Sequence, residues 1–304
     1  MDNRITKTRL KTFITYDLIK VVAILLVVCV ALLVVFNMVA DKPSTAQTFY
    51  VLCDTEVIVG DEGDLLTVET AERGTSKGGF SYDILKLSTK VLETGAYNAT
   101  YMLETTSEVG DDDIFIAQEP LGRIYLNRYY AVDIVEHTKN AKKYCIEQGF
   151  YTESGEINQD KIIESFLKTR KNDNRFRSSE NKEKGKKLEV ERIKAIWENA
   201  NLLLGVYENH PEIFASQFNS FTWGEREIVG NFAIDLSKLT GSSNEISNAF
   251  KLAVTNEETY EVTYTVEGLY LFIGNNYDIN GDLDYESLAY LRTIIEKYTN
   301  FVGA

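Results

Sequence analysis

The stretch NNYDINGDLDYES, residues 275–287, carries side-chain oxygens at alternate positions, the spacing that calcium coordination uses. Set on an EF-hand-type loop, Asn276 takes position one, Asp278 three, Asn280 five, Gly281 six, Asp282 seven and Asp284 nine, and the glycine permits the sharp turn. Position twelve is Ser287, with Glu286 one place early, where the template has a bidentate glutamate. The residues before the loop also read as strand, not helix. Two readings follow. Asn276, Asp278, Asn280, Asp282 and Asp284 hold a structural Ca2+ that braces the fold, or the loop is polar and its acidic residues favour the first turn of the helix after it. No other cofactor is indicated.

Catalytic chemistry has little to work with. The two histidines, His137 and His210, stand in no HExxH or HxH arrangement and read as surface or helix-end residues. No GxSxG nucleophile elbow and no glycine-rich phosphate loop occurs. Asp111, Asp112 and Asp113 put carboxylates side by side, but among 46 acidic residues such neighbours arise by composition alone. The chain is therefore expected not to be an enzyme. Cys53 and Cys145 either pair or act as small buried hydrophobes.

These residues must be positioned by an alternation of elements. TFYVLCD (48–54) reads as a strand, and EVIVG (56–60) and LLTVET (65–70) as further strands split by the acidic turn DEGD. SYDILKLSTKVLE (81–93) reads as a helix with Ile84, Leu85, Leu87, Val91 and Leu92 on one face. AYNATYML (96–103) reads as a strand, ETTSEVG (104–110) as a short helix or turn, and DDIFIAQ (112–118) as a buried strand. Such alternation predicts a parallel sheet with crossover helices, an α/β lobe. Residues 127–214 lose strand signals: a charged loop is expected there, then a long amphipathic helix with Trp197 in the core. EISNAFKLAV (245–254) could be a helix, TYEVTYTVEGLYLFIGN (259–275) gives two strands broken near Glu267 and Gly268, and 288–298 forms a closing helix.

Residues 21–40, VVAILLVVCVALLVVFNMVA, contain no charge, and twenty helical residues rise about 30 Å, the thickness of a bilayer's hydrocarbon core. Arg4, Lys7, Arg9, Lys11 and Lys20 upstream oppose only Asp2 and Asp17, which predicts a cytoplasmic N-terminus (1–20), a transmembrane anchor (21–40), a linker (41–47) and an extracellular domain (48–304). The run exceeds a signal-peptide core, and Met38 stands where cleavage wants a small residue. Beyond residue 20 the chain holds 27 basic against 44 acidic residues, a balance that argues against nucleic acid and makes anionic lipid an equally poor partner for the exported domain.

ETTSEVGDDDIFIAQE resembles the segment of bacterial extracellular solute-binding proteins in which a helix runs into a Gly-Asp pair and a buried strand. AIDLSKLTG, GLYLFIGNNYDINGDLDYESLAYLRTIIEKYTN and the middle segment NDNRFRSSENKEKGKKLEVERIKAIWENA are similar to membrane-tethered, solute-binding-like members of that kind. The resemblance implies a two-lobed, periplasmic-binding-protein-like α/β fold with a helical middle segment, preceded by one transmembrane helix. It implies a small solute such as a sugar or oligosaccharide, held between the lobes, and an ABC-type permease as membrane partner. Gln118 and Glu119 after one strand, Trp223 in FTWG, and Asn275, Asn276 and Tyr277 after another are the candidate ligand contacts, since solutes gather where strands end. A cell-surface interaction protein that keeps the fold without a solute is the alternative reading, and a carboxylate-dependent surface hydrolase is a third.

Overall fold

The computed structural model describes residues 7–12, 18–39, 48–74, 84, 86–92, 98–110, 112–256, 258–275 and 285–302. The chain divides into two units, Met1–Pro43 and Ser44–Ala304. The first holds two helices, α1 (Lys7–Thr12) and α2 (Leu18–Val39). Among the described residues no helix is long and apolar enough to cross a membrane.

The second unit is mixed α/β. Its order is β1 (Thr48–Cys53), β2 (Val57–Val59), α3 (Asp61–Gly74), β3 (Lys86–Val91), α4 (Ala99–Glu108), β4 (Ile114–Gln118) and α5 (Glu119–Asn127). Helices α6 (Ile134–Glu147), α7 (Gln159–Thr169) and α8 (Ser179–Asn209) follow, then β5 (Ser220–Trp223), β6 (Arg226–Val229), β7 (Ala233–Asp235), β8 (Phe250–Thr255), β9 (Val262–Thr265), β10 (Leu269–Ile273) and α9 (Glu286–Tyr298). The central sheet runs β3-β1-β4-β10-β7. β1 is parallel to β3 and β4, whereas β10 lies antiparallel between β4 and β7.

Side chains alternate across a strand, so each strand feeds two cores. Phe49, Val51 and Cys53 of β1, Ile114 and Ile116 of β4, and Leu269, Leu271 and Ile273 of β10 share one core with α3, α6, α7, α8 and α9. Leu52, Phe115, Ala117, Tyr270 and Phe272 point the other way, onto α4, α5 and the β5–β6 hairpin. Burial on both faces explains why these strands read as unbroken apolar runs. Helix α9 is buried nearly all round, including Leu288, Leu291, Ile294 and Ile295, which marks it as a core element. Each such side chain contributes about 1.5–3 kcal/mol on burial.

Several expected elements change identity. LLTVET is not a strand: it lies in α3, and DEGD supplies that helix's first turn, where Asp61, Glu62 and Asp64 suit the positive end of the helix dipole. The expected helix over 81–93 contains β3 instead, an edge strand paired with β1 along its whole length. AYNATYML does not form a strand: Asn98 caps α4, its side chain accepting from the Tyr101 amide at 2.9 Å. EISNAFKLAV gives a short 3-10 turn, Ile246–Asn248, and then β8, which pairs with β2 and β9. The alternation survives with its phases exchanged. The expected charged loop is largely the start of α8, whose Trp197 is buried and stacks on Tyr151 at 4.2 Å.

Cys53 and Cys145 are free and buried. Burial raises both thiols, Cys145 to about 12, so they stay protonated and behave as small hydrophobes.

Candidate functional site

A cleft of about 440 Å³ opens at one end of the central sheet. β4 runs parallel to β1, and β10 antiparallel to β4, so the amino ends of β1 and β4 meet the carboxyl end of β10 there. Phe49 comes from β1, Asp113 from just before β4, and Ile273, Gly274 and Asn275 from the end of β10. The first turns of α6 contribute Asp133, Glu136, His137 and Asn140, and α9 contributes Ser287. Ile228, Val229 and Phe232, in and just after β6, close another side, with Tyr129, Ala131 and Val132 beside them.

Backbone bonding fixes much of this lining. Asp113 Oδ2 accepts from the Tyr50 amide at 2.5 Å. Asp133 caps α6, Oδ1 accepting from the Glu136 amide at 3.0 Å, while Oδ2 accepts from the Asn231 amide at 3.3 Å. Tyr129 holds a left-handed backbone with φ 62°, uncommon for a residue with a side chain. Its conformation is tied down on both sides. The Tyr129 amide donates to the Leu126 carbonyl at 2.9 Å, the Asn275 side-chain amide donates to the Tyr129 carbonyl at 3.1 Å, and the Asn275 backbone amide donates to the Tyr130 carbonyl at 2.6 Å. Such a locally strained residue persists where its surroundings over-determine it.

His137, expected on the surface, is buried: its Nε2 lies 3.2 Å from Ser287 Oγ and its ring packs against Tyr285. His210 caps the end of α8 and stacks on Phe301 at 3.7 Å. The described lining carries the carboxylates of Asp113, Asp133 and Glu136, the amides of Asn140 and Asn275, and no lysine or arginine. Aromatic faces beside oxygen acceptors can hold a polyhydroxylated or cationic solute.

The structure does not gather the sequence candidates into one place. Asn275 lines the cleft. Trp223 is 49% exposed on β5, its ring 5.6 Å from that of Tyr129 at the cleft margin. Gln118 and Glu119 stand at the opposite end of the sheet, because Gln118 pairs with Leu269 while Gly274 lies beside Asp113. Asn276, Tyr277, Asp278, Asn280, Asp282 and Asp284 lie outside the described residues. Among the described residues no group of three acidic, histidine or cysteine side chains could hold a metal ion. Asp133, Asn140 and Tyr129 were not singled out from sequence, and Asp113 stood out there only as one of three adjacent carboxylates. The capping position of Asp133, at the start of a helix, was the one local signal available for them.

At the far end, Gln118 Nε2 donates to Glu56 Oε2 at 2.7 Å, and Glu119 pairs with Arg123 at 2.7 Å. Asp54 is buried there, its Oδ2 accepting from the Gln118 amide at 3.2 Å. Burial raises its pKa above the ordinary 3.8 despite the hydrogen bonds that favour the charged form. A carboxyl that keeps its proton to higher pH in the fold contributes its share of stability below that ordinary value, and the share is lost as pH rises through the folded value. Asp54→Asn is therefore expected to raise the melting temperature at pH 7, with the gain shrinking toward pH 4. An unchanged or lower melting temperature at pH 7 would contradict this.

No family model, curated protein or solved structure matches the chain.

Proposed function

We propose that the chain is a membrane-anchored, extracellular solute-binding-like domain, a receptor or accessory component of an ABC-type uptake system. The cleft carries this reading: it is concave, of a size for a small solute, and combines aromatic walls with a few fixed oxygen acceptors. Its chemistry favours a sugar or oligosaccharide, with Tyr129 and Trp223 offering ring faces and Asp113, Asn140 and Asn275 meeting hydroxyls. In the finer, two-lobed form of the proposal, the five-stranded sheet belongs to one lobe and the helix-rich segment takes the part of the other, with the cleft between the amino end of β1 and the start of α6. The anchor reading draws on α2, whose apolar side chains among the described residues, such as Ile24, Val27 and Leu32, are exposed. A cell-surface interaction protein is the second reading, favoured by the exposed ledge of Trp223, Tyr129 and Val229.

Thermal denaturation of the full chain in detergent, screened against sugars, oligosaccharides, amino acids, peptides and calcium, tests the choice. A ligand at about 100 times its dissociation constant adds about 2.7 kcal/mol of stability. A sugar is expected to raise the melting temperature, and Asn140→Ala to diminish that rise. No shift with any solute would sink the receptor reading in favour of the second.

A further inference from the structure

We propose that the corner between α7 and α8 is a cationic surface that lies against anionic lipid headgroups. Residues 168–187 hold nine lysines and arginines against three acidic residues, a net +6 within a chain of −14, so the remainder carries −20. The charge is segregated, and the overall balance conceals it.

The corner is built, not loose. Phe166 at the end of α7 meets Phe176 edge-on at 5.1 Å. Gly185 of α8 packs beneath both: a Cβ there would stand 2.5 Å from Phe166 Cζ and 2.8 Å from the Phe176 ring. The local acids are largely answered inside the corner. Arg175 grips Asp173 at 2.7 Å, Arg170 approaches it at 3.7 Å, and Lys186 holds Glu183 at 2.6 Å. Lys168, Lys171, Arg177, Lys182, Lys184 and Lys187 are all exposed, and none is held in an ion pair among the described residues.

Five of these six are lysines, compact charges on flexible stems, spread from the end of α7 through the connection to the first turns of α8. That suits a diffuse plane of anionic headgroups better than one shaped anion, which calls for arginine forks in a pocket. The repulsive remainder of the chain means that such a plane is met corner first. A bilayer is also the polyanion at hand: this inference rests on the anchored reading, in which a linker of seven residues spans at most roughly 25 Å.

The full chain is reconstituted in phosphatidylcholine vesicles with and without phosphatidylglycerol, floated, and treated briefly with trypsin. Cleavage at Lys168, Arg175 and Arg177 is read by mass spectrometry against cleavage at Lys238. Phosphatidylglycerol is expected to slow cleavage in the corner about fivefold or more, with relief at high salt. Lys182→Glu with Lys184→Glu and Lys187→Glu is expected to abolish the protection. Equal cleavage in both lipids, with the chain afloat in both, overturns the proposal and leaves the anchor standing. A chain that floats only with phosphatidylglycerol at low salt supports the corner and removes the anchor. Protection by a soluble polyanion such as heparin, but not by lipid charge, overturns the lipid assignment.

Discussion

Phe272→Ala is expected to destabilise the globular unit by about 3–5 kcal/mol, the range for removing a buried aromatic ring from a packed core. Phe272 is fully buried on β10, the strand that joins β4 to β7. Its ring meets Phe218 edge-on at 5.1 Å, Tyr125 at 5.8 Å and Phe115 at 6.2 Å, so one truncation takes a partner from three aromatics. Helix α5 also leans on it: a Cβ on Gly122 would stand 2.7 Å from its ring. Strand and helix there cannot close a void without breaking the ladder above them. Native domains hold only about 5–15 kcal/mol in total, so the loss is a large share. Urea denaturation followed by far-ultraviolet circular dichroism measures it, and a loss below about 1 kcal/mol would show that the ring bears little of the packing assigned to it.

Gly274→Ala is expected to cost about 2–3 kcal/mol and to distort the cleft. A methyl group at Gly274 would collide with the Asp112 carbonyl oxygen and stand 3.1 Å from the Tyr125 hydroxyl. The first of these is backbone, which can move only with the start of β4, and the Gly274 amide already donates to the Asp113 carbonyl at 2.9 Å. Asp113 and Asn275, on either side of this contact, both line the cleft. The control is Gly205→Ala on α8, where an added Cβ meets nothing within 4 Å. That change is expected to stabilise by up to about 1 kcal/mol through helix propensity alone. The same substitution thus has opposite signs at two sites, and equal melting temperatures for the two variants would refute the packing argument.

What could be read from the sequence followed burial. β1, β4, β10 and α9 were legible because each is enclosed, and enclosed segments are apolar with a plain period. The edge was not. In β3, Leu87, Thr89 and Val91 alternate as a strand requires, yet Ile84, Leu87 and Val91 also fit a helical face, and pairing with β1 decides between them. Tyr and Thr gave α4 a strand-like composition, while the Asn98 cap was a local signal that could have corrected it. Of the site, Asn275 was legible because it follows a buried strand. Asp113 from before β4, Asp133 and His137 from the start of α6, and Ser287 from α9 come from three separate segments, and no local pattern announces that the sheet brings them to one opening.

The position of β10 has a consequence for how the chain is made. It lies between β4 and β7 in the finished sheet, although all its neighbours are synthesised before it. Until the ribosome has released residues 269–273, β4 has no partner on one side and β7 none on the side it shares with β10. The nascent α/β half therefore waits with an open hydrogen-bonding edge, and closes by pairing segments more than 150 residues apart, Ile114 with Ile273. Non-local closure of this kind is slow and exposes such edges to other chains. A ribosome stalled before Leu269 would leave a template for aggregation, and a completed one delivers the strand that seals it.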